Sequence, residues 1–417
     1  LDHVARTAES VARASYGKLI AYLAARTRDV AGAEDALSEA FAAALADWPE
    51  SGIPRAPEAW LLTVARRKLL DSARRRRVGE GAAPTLALLA SEFSDETDAN
   101  EIPDERLRLM FASAHPAIDP GIRAPLMLQV VLGFDAGTIA SAFLVSPATM
   151  AQRLVRAKSR IREAGIPFRM PGRDELAGRL EAVLEAIYAI YTAGWADPAG
   201  TQARSRGLAE EAIWLGRLVA ALSSNEPESL GLLALMLHAE ARREARRNSL
   251  GEFVPLAAQD PALWNSRLID EAEALLFSAS RLGAPGRFQL EAAVQSAHAA
   301  RRHSGRTDWS AIVELYDALL LSTDSIVVAI NRAVALAARE HEPGGAAQGM
   351  LVLDSLRDNV QIEQYQPYWA ARACLLARLG SAEAACDAYR RAIGLEADPV
   401  VREYLQKEMA RCARQSM

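Results

Sequence analysis

The sequence predicts an all-α protein assembled from several helical modules. Ala, Leu, Glu and Arg dominate it, and apolar residues recur at intervals of three and four rather than alternating. No Asn-Gly or Asp-Gly pair between alternating β-formers marks a hairpin. Pro and Gly cluster at a few places, chiefly residues 48–54, 166–172, 197–200, 283–286 and 343–345, as helix connections require. A length of 417 residues suits two or three domains, and 24% charged with 50% hydrophobic residues excludes disorder and fibrous classes. No run approaches the ~18 uninterrupted apolar residues of a spanning helix. No signal-peptide pattern opens the chain. Three cysteines, Cys374, Cys386 and Cys412, fit a reducing compartment. A cytoplasmic protein without membrane contact is therefore expected.

The first module covers residues 1–77. Its clearest segment, Ala33 to Phe41, places Glu34, Asp35 and Glu39 on or near one helix face with Leu37 and Phe41 opposite. A kinked loop is expected from Asp47 to Pro57, and then an amphipathic helix from Glu58 to Arg77. Trp60, Leu61, Val64 and Leu69 of that helix can pack inward. Arg66, Arg67, Lys68 and the run Arg74 to Arg77 supply seven bases against one acid, Asp71. Cations beside an aromatic-bearing helix and a loop suit single-stranded or melting DNA. A basic helix end complementing its own dipole explains the Arg run equally simply.

Residues 78–104 read as an acidic linker, and Val78–Glu105 holds eight acids and no base. The net charge of −5 taken alone weighs against nucleic acid, but it averages unlike parts. Outside the acidic stretch, residues 1–170 hold 22 bases against 13 acids, while residues 171–417 hold 26 against 32. Two basic modules on an acidic tether, followed by an acidic extension, fit nucleic-acid binding. Solvated faces remain the plainer account of such charge runs.

The second module, residues 105–170, carries a helix-turn-helix pattern. Asp135 can cap a helix holding Ile139, Ala140 and Phe143, and Leu144-Val145 makes the turn. Ser146 followed by Pro147 is a favoured start for the next helix. That helix carries Thr149, Gln152, Arg153, Arg156, Lys158, Arg160 and Arg162 among the apolar Met150, Leu154, Val155 and Ile161. Small polar residues first and cations further on are what a major-groove reader needs.

Residues 171–417 form a long helical extension. Trp369, Ala373, Ala385, Tyr389 and Ala392 fit one 34-residue tetratricopeptide helix pair, and Trp309 and Tyr316 repeat its first-helix spacing. Stacked helix pairs make a concave surface suited to a peptide or another domain, or merely pack on the other modules. Cys374 and Cys386 are expected as small buried hydrophobes. Tyr188, Tyr191, Trp195, Trp214 and Trp264 are expected in packing. The six histidines show no zinc-ligand spacing. No phosphate loop or catalytic elbow stands out, so neither enzymatic activity nor a cofactor is expected.

Taken together, Arg28 to Phe41, Ala59 to Arg77, Thr138-Ile139-Ala140 and Ser146 to Arg162 resemble extracytoplasmic-function RNA polymerase sigma factors. The order and spacing of that family's regions 2 and 4 are kept across residues 10–170. The extension resembles the subgroup with a tetratricopeptide-like C-terminal domain, which is thought to regulate the factor. The resemblance implies that Glu34, Asp35, Glu39 and Phe41 dock on the β′ clamp helices of core polymerase, whose β subunit is a further partner. It implies that Ser51, Arg55, Trp60, Arg66, Arg67, Arg74, Arg75 and Arg76 meet the −10 element. It implies that Ala148, Thr149, Gln152, Arg153, Arg156, Lys158 and Arg160 meet the −35 element. Arg67 departs from the pattern, since many members carry Asn there. Ser113-Ala114 stands where the subgroup often has a Cys pair, which argues against a thiol or metal switch at that place. A free-standing helix-turn-helix regulator and a tetratricopeptide scaffold are the alternatives. A protein or peptide partner for the extension stays open.

Overall fold

The computed structural model describes residues 2–77, 105–143, 145–195, 203–223, 225–339 and 344–414. Among the described residues the protein is all-α. The only β feature among the described residues is an isolated bridge between Arg247 and Phe253. The acidic linker, Leu144, His341 and the side chains of Arg74, Arg75, Arg76 and Trp195 lie outside the described residues. The chain divides into two compact units. One holds residues 1–197 with 202–218, and the other holds 198–201 with 219–417.

In the first unit, α1 (Asp2–Thr27), α2 (Val30–Ser51) and α3 (Pro57–Arg77) form a bundle. Asp29 caps α2, its Oδ1 accepting the Gly32 N–H at 3.0 Å. The helix runs on through Pro49 to Ser51, past the expected start of the loop at Asp47. Pro49 lies in the last turn, where a missing N–H costs one bond only. Gly52 stops the helix at φ 84°, its N–H bonding the Trp48 carbonyl. The true loop is therefore only Gly52 to Ala56. Leu37, Trp48, Leu61 and Ala65 fill the core.

The same unit continues with α4 (Arg106–Ser113), α5 (Pro120–Val130), α6 (Ala136–Ala142) and α7 (Pro147–Glu163). Asp135 accepts the Gly137 and Thr138 N–H groups to cap α6, and Ser146 accepts that of Thr149 to cap α7, as the sequence predicts. The hydrogen bond from the Thr138 hydroxyl, ahead of that from its N–H, holds the Asp135 carboxyl below the usual range. Then α8 (Arg173–Trp195) packs on α4 and α5, where the buried Arg179 donates to the Phe111 carbonyl at 2.7 Å. With most of α9 (Ala203–Leu222), it belongs to this unit. The compact unit thus runs past the boundary expected at residue 171. Trp214 is exposed, with the Arg106 guanidinium 4.5 Å over its ring, and is not core.

The second unit is built around α10 (Pro227–Glu240), buried on every side from Ser229 to His238. It packs against α11 (Ser266–Ser280) and α12 (Arg287–Ala299). Glu228, in the first turn of α10, accepts the Phe288 and Gln289 N–H groups at 2.9 and 3.0 Å and so caps α12. Helices α13 (Trp309–Thr323), α14 (Ile326–Ala338), α15 (Gly345–Ser355), α16 (Gln366–Arg378), α17 (Ala382–Leu395) and α18 (Pro399–Arg414) follow, neighbour on neighbour. Ala373, Ala385, Tyr389 and Ala392 share one core cluster with Trp369 packed against it, so that helix pair forms as its spacing predicts. Trp309 and Tyr316 pack on another cluster. Of the cysteines only Cys412 is buried; Cys374 is exposed and Cys386 is half-buried, which corrects the expectation for Cys374. Between α10 and α11 lies an irregular segment. It reaches α18 through Arg247 to Asp398, Lys407 to Glu252, and an edge-on Phe253–Tyr404 contact.

Candidate functional site

The exposed face of α7 follows from helix phase. Met150, Leu154, Ala157 and Ile161 face the core, which turns Thr149, Gln152, Arg153, Arg156 and Arg160 into one exposed row, with Ala148 exposed beside it. Arg153, Arg156 and Arg160 rim a groove of about 500 Å³ floored by Ile118, Ile122 and Ala157. Three guanidinium groups along one helix suit an extended polyanion.

Lys158 does not belong to that row. At 100° per residue it lies on the far side of α7, and its Nζ reaches Glu34 Oε2 at 2.5 Å. Both side chains are only 12% exposed. Arg162, on the same edge, lies 3.9 Å from Asp29 Oδ2. Burial pushes the Glu34 carboxyl above the usual range, outweighing the opposite pull of Lys158. Lys158, expected at the −35 element, is thus paired with Glu34 and set apart from the exposed row in this structure. The approach of Arg162 to Asp29 was not legible in the sequence, because no periodicity links the two.

The remaining expected site residues of the first bundle fall into two kinds. Asp35, Ser51, Arg55 and Arg67 are exposed, and Phe41 is half-buried. The others are engaged. Glu39 pairs with Lys68 at 3.0 Å. Arg66 turns inward to the Tyr22 hydroxyl and ring. Trp60 stacks edge-on against the buried Trp48, ring centres 5.5 Å apart. Structure thus gathers Asp35 and Glu39 on one exposed face, and separates Arg66 from Arg67.

Elsewhere, His238 is buried, and desolvation with Arg242 and Arg302 nearby pushes its imidazole down to about 3. Glu273 Oε1 lies 3.5 Å away, but a neutral imidazole makes that contact no ion pair at neutral pH. Among the described residues no cluster of His, Cys, Asp and Glu could hold a metal ion, and no helix is long and apolar enough to cross a membrane.

Comparison with known proteins bears on these features. An uncharacterized protein, R00370, of Rhizobium meliloti (strain 1021) is 38% identical over 399 residues, covering 94% of this chain and 92% of the relative. The chain belongs to the family of that protein. Residues 11–78 match sigma-70 region 2, so the α1–α3 bundle is a sigma-70 region 2 module. Such a module supports a sigma-factor role in transcription initiation, with core RNA polymerase and promoter DNA as partners. Residues 179–280 match a family of unknown function, DUF6596, which spans α8 to α11 and so belongs to both compact units. No solved structure matches.

Proposed function

We propose that this protein is a sigma factor of the extracytoplasmic-function type with a regulatory helical extension. It would bind core polymerase through the acidic face of α2, engage −10 DNA with the loop Gly52 to Ala56 and α3, and read −35 duplex with α7. The observation that carries the reading is the sigma-70 region 2 module followed by a capped helix-turn-helix. The second helix of that pair exposes Thr149, Gln152, Arg153 and Arg156 in one row. Polar residues near the N-terminus of such a helix reach base edges, and the cations beyond hold phosphates. On this reading the chain has no catalytic residue, and polymerization chemistry belongs to the polymerase. The extension modulates activity.

The test is transcription in vitro by purified core polymerase on a genomic promoter library, with and without the full-length chain. New start sites sharing −35 and −10 sequences are expected. No chain-dependent transcript, with core polymerase shown active by another factor, overturns the reading.

A further inference from the structure

In the second unit, α17 and α18 pack on each other, and each carries one cysteine, Cys386 and Cys412. A helical side chain leans over the turn N-terminal to its own Cα. The Cys386 thiol therefore covers the turn that begins at Ala382, and the Cys412 thiol covers the turn that holds Met409. Across the helix pair these partners are exchanged. The Cys386 sulfur lies 4.0 Å from the Met409 carbonyl oxygen, and the Cys412 sulfur lies 3.9 Å from the Ala382 carbonyl oxygen. Each thiol reaches the turn that the other covers, so the two face one another in direct side-chain contact. Both pack in the cluster that holds Ala385, Ala388 and Leu405. Cys374, on α16, is exposed.

We infer that Cys386 and Cys412 are a reversible oxidation site, a dithiol that hydrogen peroxide converts to a disulfide pinning α18 to α17. The surroundings select the reagent. Two thiols in a largely apolar helix interface need a two-electron oxidant that is small and uncharged. Cys386 is half-buried and meets it first, while Cys412 is buried. The Cys386 thiolate sulfur attacks one peroxide oxygen, the O–O bond breaks, and the other oxygen leaves and takes up a proton as water. The sulfur is then a sulfenic acid. The Cys412 sulfur gives up its proton and attacks the Cys386 sulfur, the S–O bond breaks, and that oxygen leaves as a second water. Two thiols and one peroxide thus give one disulfide and two waters, with sulfur oxidised and peroxide reduced. Burial, with Cys386 adding to it, pushes the Cys412 thiol up. That suits Cys412 to the second step, where contact with the sulfenic sulfur offsets a scarce thiolate. The pin has a mechanical consequence. Tyr404 and Lys407 of α18 hold Phe253 and Glu252 of the irregular segment after α10. Oxidation therefore fixes the helix on which that contact depends.

The test exposes the reduced full-length chain to hydrogen peroxide, caps the remaining thiols with iodoacetamide and maps the peptides without reductant. A Cys386–Cys412 link in most chains, undone by dithiothreitol, is expected. Cys374→Ser is expected to keep the link, and Cys386→Ser and Cys412→Ala are each expected to lose it. A link that joins Cys374 to either of the others overturns the inference. So does recovery of Cys386 and Cys412 as capped thiols after a dose that has oxidised the exposed Cys374. Thermal melting reads the pin as a second measurement. Oxidation is expected to raise the midpoint of the second unit by ~4 °C, and dithiothreitol is expected to restore it. A linked chain whose midpoint does not rise, or a rise that persists in Cys386→Ser, overturns the pinning of α18 to α17. These outcomes are independent of whether the chain binds polymerase.

Discussion

Lys158 Nζ and Glu34 Oε2 meet at 2.5 Å across 124 residues of sequence, each side chain nearly withdrawn from water. A pair so placed differs from a surface ion pair, because removing one partner strands the other without its counter-charge. Lys158→Gln should therefore destabilise the first unit by ~3 kcal/mol. Glu34→Gln with Lys158→Gln together should cost less than the two single changes added. A double-mutant cycle on the first unit's denaturant transition measures the coupling. Simple additivity would mean that the pair does not form in solution.

The exposed row of α7 makes a contrasting prediction. Arg153→Ala with Arg156→Ala should weaken −35 duplex binding at least tenfold and lower the slope of log K against log salt by about two. Lys158→Ala should leave that slope unchanged, because its ammonium faces α2. Fluorescence anisotropy of labelled duplex with the full-length chain, across a salt series, separates the two outcomes.

Gly17→Ala tests the packing of α1 on the end of α5, where a Cβ at residue 17 would sit 1.9 Å from the Val131 carbonyl oxygen. The added methyl meets a backbone carbonyl rather than a pliable side chain, so α1 and the end of α5 must separate. Overpacking of this kind costs ~1–3 kcal/mol. Hydrogen exchange should rise on both sides of that contact, in residues 15–24 and 126–131, while the second unit stays as protected as before.

In the second unit, burial is the first cause that lowers two imidazoles, that of the buried His238 and that of the half-buried His298. His238 is pushed down to about 3 and His298 to about 4, with Arg242 adding to each. In an unfolded chain each would titrate near ~6.5. Between those values the unfolded state binds more protons, so stability rises with pH up to ~6.5 and is lost on acidification toward pH 4. Each tenfold change in proton affinity is worth ~1.4 kcal/mol. Melting of the second unit should fall steeply between pH 6.5 and 4. His298→Gln should flatten that fall, and an unaltered slope would assign it to other groups.

Much of the fold was legible in the sequence, because its signals are local. Asp135 and Ser146-Pro147 cap the helices they were expected to cap, and Met150, Leu154 and Ile161 face inward by periodicity alone. Features that depend on distant partners were not legible. Lys158 belongs to the right helix but lies on its other side, and only the presence of α2 assigns it a role. Helix α2 outruns its expected end because a proline in a last turn is tolerated. Pro171-Gly172 looks like a domain boundary, yet the chain after it returns to cover α4 and α5.

That return gives a prediction about truncation. Arg179 of α8 is buried and donates to the Phe111 carbonyl at 2.7 Å, and Trp214 of α9 carries the Arg106 guanidinium on its ring. A chain ending at Met170 removes both contacts and strips the cover from the apolar residues of α4 and α5 facing α8. Losing a charge-assisted bond to a buried carbonyl alone costs ~1.5–3 kcal/mol. A chain ending at Leu222 keeps them. The longer truncation should therefore melt higher than the shorter one, and it is the fair form in which to ask what the extension does to transcription. Loss of activity confined to the Met170 form would report damage to the second module. Altered activity in the Leu222 form, at equal folded concentration, would report regulation by the second unit. Equal melting of the two forms would show that α8 and α9 contribute nothing to the module they cover.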